Sequence, residues 1–336
     1  MKLIVDAFGG DNAPLEIIKG CELAVKEYGY EIVLVGDEDK IRNCANDNDV
    51  SLQNMMIIHA PDTISMEDHP DCILKEKKDS SMAKGMLLLA SGEGDAFVTA
   101  GSTGAAVIGS TFLVKRIKGV KRAALATILP NDNGGNFMLL DVGANVECRP
   151  EVLGQFGIMG SEYMKSFLNI ENPRIALLNV GTEDTKGGDL QKAAFDVLKN
   201  LPINFIGNVE ARDLLFGAAD VVVCDGFSGN VALKSIEGVA VFMMKNLKGA
   251  LYKNLKTKLA ALVLKKSLME FKKKLDYTEV GGAPLMGISK PVIKAHGNSK
   301  AKAFKNALVQ AAAYAEGGSI SKIADAVKKE KNTDNE

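Results

Sequence analysis

Ala96-Phe-Val-Thr-Ala-Gly-Ser-Thr-Gly104-Ala-Ala-Val-Ile-Gly109 joins a short apolar run to a polar turn bracketed by glycines, and then to a helix-forming stretch. An apolar run that does not alternate with polar residues must be covered on both faces, which is the mark of a strand inside a parallel sheet. Ser102 sits where a helix cap belongs, so the segment reads as strand, turn, helix. The same rhythm recurs along the chain. It predicts strands over 3–6, 32–36, 56–60, 96–100, 123–128, 137–141, 175–179 and 221–224, with helices over 13–27, 103–115, 151–167, 189–199 and 300–314. Strands and helices in alternation define an α/β fold, a mostly parallel sheet between two helical layers.

The strand exits share a composition. Asp6-Ala-Phe-Gly-Gly-Asp11, Ala100-Gly-Ser-Thr-Gly104, Asp141-Val-Gly-Ala-Asn145, Asn179-Val-Gly-Thr-Glu183 and Cys224-Asp-Gly-Phe-Ser-Gly-Asn230 each combine glycine with a small polar group. Ligands of open parallel sheets bind beyond the carboxyl ends of the strands, so these turns are expected to converge on one site. Glycine admits close approach of backbone N–H groups, and a helix starting behind the turn adds the positive end of its dipole. Both favour an anion. Gly101-Ser102-Thr103-Gly104 and Phe227-Ser228-Gly229-Asn230 are the phosphate cradles this predicts, although Ser102 and Asn230 also suit plain helix caps. Asp225 is placed to accept a proton or orient a reactant. Lys294 and His296, in Ile293-Lys-Ala-His-Gly297, are placed to stabilise developing negative charge or act as acid.

Competing chemistries lack their motifs. Gly92-Glu-Gly94-Asp-Ala-Phe97 precedes a strand and misses the third glycine of a dinucleotide fingerprint. There is no GxxxxGK[ST] loop, no HExxH pair, and Gly226-Phe-Ser228-Gly-Asn230 is one glycine short of a nucleophile elbow. With only His59, His69 and His296, a serine triad has few partners. Neither a metal nor a cofactor is expected.

The 336 residues suffice for a large core, and no Pro/Gly/Ser-rich linker divides them, so one catalytic domain over 1–328 is expected, with a polar, disordered tail over 329–336. The five cysteines, 21, 44, 72, 148 and 224, form no CxxC pair and read as free thiols in a reducing compartment. The N-terminus lacks the features of a signal peptide, and no apolar stretch is long enough to cross a bilayer. These features point to the cytoplasm.

Charge is unevenly spread. Between 240 and 275 ten lysines face one acid, Glu270, giving +9 in a chain whose net charge is −1 and leaving about −10 for the rest. Leu247, Leu251, Leu255, Leu259 and Leu262 recur at helical steps, with lysines such as Lys256 beside them. This predicts a protruding amphipathic arm over about 240–276. Its leucine face suits an anionic membrane surface, its own core, a second subunit, or an acidic protein partner. Nothing in an otherwise acidic chain suggests nucleic acid.

Several motifs together carry a family resemblance: Asp6-Ala-Phe-Gly-Gly-Asp11-Asn-Ala-Pro14, Lys77-Lys-Asp-Ser-Ser-Met82, Ala100-Gly-Ser-Thr-Gly-Ala105, Asp141-Val-Gly-Ala-Asn145, Phe205-Ile-Gly-Asn-Val-Glu-Ala-Arg212, Cys224-Asp-Gly-Phe-Ser-Gly-Asn230, Gly281-Gly-Ala-Pro-Leu285 and Ile293-Lys-Ala-His-Gly297. Over almost its full length the chain resembles bacterial phosphate acyltransferase, which moves a fatty acyl group from acyl carrier protein to inorganic phosphate in phospholipid synthesis. The resemblance implies a three-layer fold like that of isocitrate and isopropylmalate dehydrogenases, shared with phosphotransacetylases. It also implies a homodimer, peripheral attachment to the inner face of the cell membrane, and a glycerol-3-phosphate acyltransferase as consumer of the product. Asn179-Val-Gly-Thr-Glu-Asp-Thr-Lys186 is less acidic than the family's Gly-Glu-Glu-Glu run but keeps Lys186.

The catalytic set expected on this basis is Asp225, His296, Lys294 and Lys186. Asp6, Gly9, Gly10, Asp11, Gly101, Ser102, Thr103, Gly104, Asn145, Asn208, Ser228, Asn230 and Gly282 are expected to hold phosphate or substrate. Leu251, Leu255, Lys256, Leu259 and Leu262 are expected to meet membrane or carrier protein. A phosphotransacetylase-like enzyme using acyl-coenzyme A and a non-catalytic, membrane-bound acyl sensor are the alternatives.

Overall fold

A computed structural model describes residues 1–269 and 281–333. Eleven strands form one sheet: β1 (Lys2–Asp6), β2 (Glu31–Gly36), β3 (Met55–His59), β4 (Ala96–Thr99), β5 (Ala124–Pro130), β6 (Asn136–Leu140), β7 (Ile175–Asn179), β8 (Phe205–Glu210), β9 (Val221–Val223), β10 (Ala283–Met286) and β11 (Val292–Lys294). Their spatial order is β3-β2-β1-β4-β11-β10-β5-β6-β9-β7-β8. Side chains on β1 show the double coverage that the sequence predicts, since Leu3 and Val5 enter one buried cluster and Ile4 the other. The first cluster packs against α1 (Leu15–Tyr28), α5 (Pro150–Phe167), α6 (Asp189–Lys199), α9 (Ala301–Glu316) and α10 (Ser319–Thr333). The second packs against α3 (Ser81–Ser91) and α4 (Thr103–Gly109). Three layers result.

The sheet is mostly parallel, but not in one direction. β3, β2, β1, β4 and β11 run together, and β6, β9, β7 and β8 run together. Between them β10 is antiparallel to β11 and to β5, and β5 is antiparallel to β6. The two parallel halves therefore point their carboxyl ends at opposite edges. The expected convergence of all five turns on one edge is corrected accordingly, because three antiparallel pairings at the centre invert the second half.

Short elements carry the weakest sequence signal. Strands β8, β10 and β11 and helix α3 lie in stretches without a strong period, and α2 (Glu38–Asp47), though amphipathic, is mostly polar and buries only Ile41 and Ala45. The helix expected over 103–115 changes to π-helical turns at Ser110–Lys115, where the Thr111 hydroxyl bonds back to the Val107 carbonyl. Helix α10 runs on to Thr333, past the boundary placed at 328. Residues 334–336 lie outside the described part.

α7 (Gly226–Leu251) begins at the sheet and then leaves it. Of its 26 residues only Gly226 and Gly229 are buried. A Cβ at 229 would run into the Asp141 carbonyl, so glycine is what allows α7 to seat at the end of β6. The arm is not one continuous helix. Asn254 accepts from the Thr257 N–H, and Thr257 Oγ1 accepts from the Asn254 N–H, a reciprocal cap that ends α7 and starts α8 (Leu255–Val263). Leu251 and Leu255 thus belong to different helices. Leu255, Leu259 and Leu262 are all exposed, so this leucine face is open. Residues 270–276 of the expected arm lie outside the described part. Among the described residues no helix is long and apolar enough to cross a membrane.

Candidate active site

A cavity of about 430 Å³ opens between the two halves of the sheet. From the first half it takes Asp11, Thr103, Lys294, His296 and Gly297, and from the second Gly143 and Asn230. Gly281, Gly282 and Ala283 at the head of β10 and Leu125, Thr127 and Ile128 on β5 form its floor. The antiparallel centre that inverts the second half is therefore what closes the site. Lys234 and Glu237, one and two turns beyond Asn230 on α7, complete it, their side chains ion-paired at 2.7 Å. The sequence reading missed this pair. The available signal was its spacing from Asn230, since steps of four and seven share one helical stripe.

Lys294 is buried, and its Nζ donates to the Ala100 carbonyl at 3.2 Å and to the Ala295 carbonyl. Burial pulls its pKa down to about 8, against the opposing pull of Asp6 and Asp11. His296 lines the cavity, and its Nδ1 accepts from the Asn298 N–H at 3.3 Å. Partial burial lowers the His296 pKa, with Glu237 opposing. A neutral ring whose Nδ1 accepts carries its proton on Nε2. The cavity thus holds a titratable ammonium, a neutral imidazole donor and the Lys234 ammonium.

Other expected residues have structural positions. Asp6 is fully enclosed and accepts from Ser81 Oγ at 2.6 Å, Thr99 Oγ1 at 2.7 Å and the Phe8 N–H at 3.3 Å. Burial raises its pKa despite these bonds. Its role is to tie β1 to β4 and α3. Gly9 packs on Thr99 and Gly101, and Gly10, at φ +99°, on the Gly297 carbonyl, which also accepts from the Asp11 N–H at 2.8 Å. Gly101 and Gly104 lie against Met82 and Pro70, while Ser102 caps α4. Only Thr103 of that turn faces the cavity.

Asp141 accepts from the N–H groups of Leu125, Gly143, Ala144 and Asn145 and from Asn145 Nδ2. Asn145 also donates to the Ala123 carbonyl and receives the Gly226 N–H, so it braces this turn. Asp225 caps α7, taking both the N–H and the hydroxyl of Ser228 at 2.8 Å. Neither Asp225 nor Ser228 lines the cavity. Gly282 does, its N–H bonded to Gln310 at 2.6 Å.

Lys186 and Asn208 are not brought in. Lys186 is half exposed in the loop after β7, 3.8 Å from Glu183, and Asn208 donates from β8 to the Glu183 carbonyl. They stand at β7 and β8, the outermost strands of the second half, away from the centre of the sheet where the cavity opens. Among the described residues no group of three or more His, Cys, Asp or Glu side chains is placed to hold a metal ion.

The architecture is that of the phosphotransacetylases. It superposes on a phosphotransacetylase from Streptococcus pyogenes with a TM-score of 0.64 at 17% identity, covering 94% of each chain. It also superposes on a 4-hydroxythreonine-4-phosphate dehydrogenase from Klebsiella pneumoniae with a TM-score of 0.55 at 13% identity, covering 94% of this chain and 99% of that one. At these identities the likeness concerns the fold alone. Residues 1–322 match the family model described as fatty acid synthesis protein. A phosphate acyltransferase of Thermoanaerobacterium thermosaccharolyticum is 50% identical over 323 residues, 96% of both chains. One of Clostridioides difficile is 41% identical over 338 residues, 100% of this chain and 99% of its own. The chain belongs to the phosphate acyltransferase family, enzymes of fatty acid and phospholipid synthesis that transfer an acyl group to phosphate.

Proposed function

We propose that the cavity joins inorganic phosphate to a long-chain acyl group delivered as the thioester of acyl carrier protein. The observation that carries this reading is the meeting of Lys234, Lys294 and His296 with Thr103 and Asn230 in one cavity. Phosphate sits against Thr103, Asn230 and Lys234, held by the hydroxyl, the amide and the ammonium. Its oxygen attacks the thioester carbonyl, and the oxyanion receives the Nε2–H of His296, a donor that need not be charged. Collapse expels the carrier thiolate, and Lys294 supplies its proton. A lysine near pKa 8 is matched to a thiol near about 8.5. Holding both reactants in one cavity removes much of the entropic barrier. Asp225 acts at a distance by fixing the first turn of α7, on which Asn230 rides.

The protein attaches peripherally to the inner membrane face through the leucines and lysines of α8. It pairs with a second copy along the exposed stripe of Phe227, Val231 and Phe242 on α7. Its acyl phosphate passes to a membrane-bound glycerol-3-phosphate acyltransferase.

The test is to incubate the protein with palmitoyl carrier protein and labelled phosphate. The expected product is a labelled, hydroxylamine-sensitive acyl phosphate, formed faster than from palmitoyl-coenzyme A. Equal rates from both donors would remove the carrier from the reading, and no product from either would remove the reaction.

A further inference from the structure

A second cavity of about 590 Å³ lies on the other side of α7. Apart from a polar rim its walls are apolar, with Leu129, Leu215, Phe216, Ile236, Val239 and Met243 as the large side chains. Phe216 is 64% and Val239 56% exposed, a degree of exposure that costs free energy unless something apolar covers them. Glu237 lines this groove and the polar cavity alike, and Thr127 and Leu129, which share one face of β5, line one each. A single ligand can therefore place a polar head in the first cavity and an apolar tail in the second. The volume falls within the range of about 300–1,000 Å³ typical of small-molecule sites. The groove extends along α7 to Met243, where the lysines of the arm begin at Lys245.

We infer that this groove binds the acyl chain of the thioester and of the acyl phosphate made from it, an inference that rests on the reaction proposed above. A second copy of the chain is the rival occupant, but α7 offers it another surface. At 3.6 residues per turn, the stripe of Phe227, Val231 and Phe242 lies about a third of a turn from that of Ile236, Val239 and Met243. Met243 suits a flexible chain, because an unbranched thioether adapts to irregular apolar shapes. A chain seated here would leave for the bilayer along the helix that carries the membrane arm.

Chain-length dependence tests the inference. With butyryl, octanoyl and palmitoyl carrier protein, the wild-type kcat/KM rises with length by up to roughly fourfold per buried methylene. Ala240→Trp fills the groove and Met243→Glu makes it polar, and each lowers the palmitoyl-to-butyryl ratio by at least about tenfold. Binding of parinaric acid, a fluorescent long-chain acid, weakens in both variants, and this readout holds even if the wild type makes no acyl phosphate from any donor. An unchanged ratio and unchanged parinaric affinity in both would overturn the inference. So would variants that alter only the sedimenting mass, which would make the groove a subunit interface. Failure of the parent reading looks different: no acyl phosphate from any chain length, with parinaric binding alone then deciding the groove.

Discussion

Lys294 carries a charge in a place that does not favour one. Its folded pKa of about 8 lies below the ordinary 10.5, so between those values the unfolded chain binds more protons than the folded one. The lysine therefore opposes folding in full below pH 8, and the penalty fades as pH rises toward 10.5. Compared with Lys294→Met, the wild type should gain relative stability between about pH 8 and 10, read from paired urea titrations. A stability gap constant across that range would mean that the lysine is unperturbed. The same group sets a rate limb: turnover should fall above about pH 8 as Lys294 loses its proton. Lys294→Arg, which cannot titrate there, should remove that limb, while Lys294→Met lowers the rate near the lower end of the 10²–10⁴-fold range for general acids. A limb that survives in the arginine variant belongs to another group.

Asp141 shows why acids beside glycines are ambiguous in a sequence. Asp6, Asp141 and Asp225 all follow buried strands and precede glycine, yet each spends its oxygens on neighbouring N–H or hydroxyl donors. The pattern that marks a ligand turn also marks a turn held by its own carboxylate. Asp141→Ala strands five donors, and we expect a loss of at least about 3 kcal/mol in urea unfolding. A loss under about 1 kcal/mol would show that water replaces the carboxylate. Lys294 and His296 could be singled out from sequence because they stand just before Gly297, ahead of a helix-forming stretch, as the polar groups of the other turns do. Lys234 and Glu237 offered only their helical spacing from Asn230, a weak signal because a charged pair within a helix normally marks a solvated face.

At the scale of the element, α7 and α8 divide the work between site and surface. The amino end of α7 is pinned at Asp141 through Gly229 and packs Ala232, Leu233 and Ile236 against the core, while its later turns and most of α8 are exposed. The charge contrast that revealed this arm was legible because it needed only counting. The break at Asn254 was not, because a capping box interrupts a leucine period without disturbing it. Leu255 and Leu259 are 79% and 65% exposed, and neither supports the fold. Leu255→Glu combined with Leu259→Glu should therefore release the protein from anionic liposomes and leave acyl phosphate synthesis in solution unchanged. Raising salt should weaken binding of the wild type in the same assay, since each lysine near an anionic surface contributes about 1 kcal/mol. Undiminished co-sedimentation of the double variant would take membrane attachment away from α8.

At the scale of the molecule, the layering and eight of the eleven strands followed from periodicity, whereas β8, β10, β11 and the direction of the second half did not. Direction depends on β10 and β11, two strands of four and three residues that pair with β5 and β4 from far along the chain. So short a run leaves no period to detect. Its consequence is a cavity between halves whose walls come from residues as distant as Asp11 and Ser299. The long α7 that closes this cavity also presents Phe227, Val231 and Phe242 to solvent, respectively 63%, 51% and 66% exposed. Burying such a stripe against its own copy would shelter three large apolar side chains in each subunit, each worth about 1.5–3 kcal/mol when fully covered. Phe242→Asp would place a charge in that contact on both sides of a two-fold axis at once, doubling the desolvation and adding like-charge repulsion. The variant should sediment at half the wild-type mass with an unchanged circular dichroism spectrum, because the side chain supports nothing within its own subunit. A wild-type mass retained in the variant would move the pairing surface off this stripe.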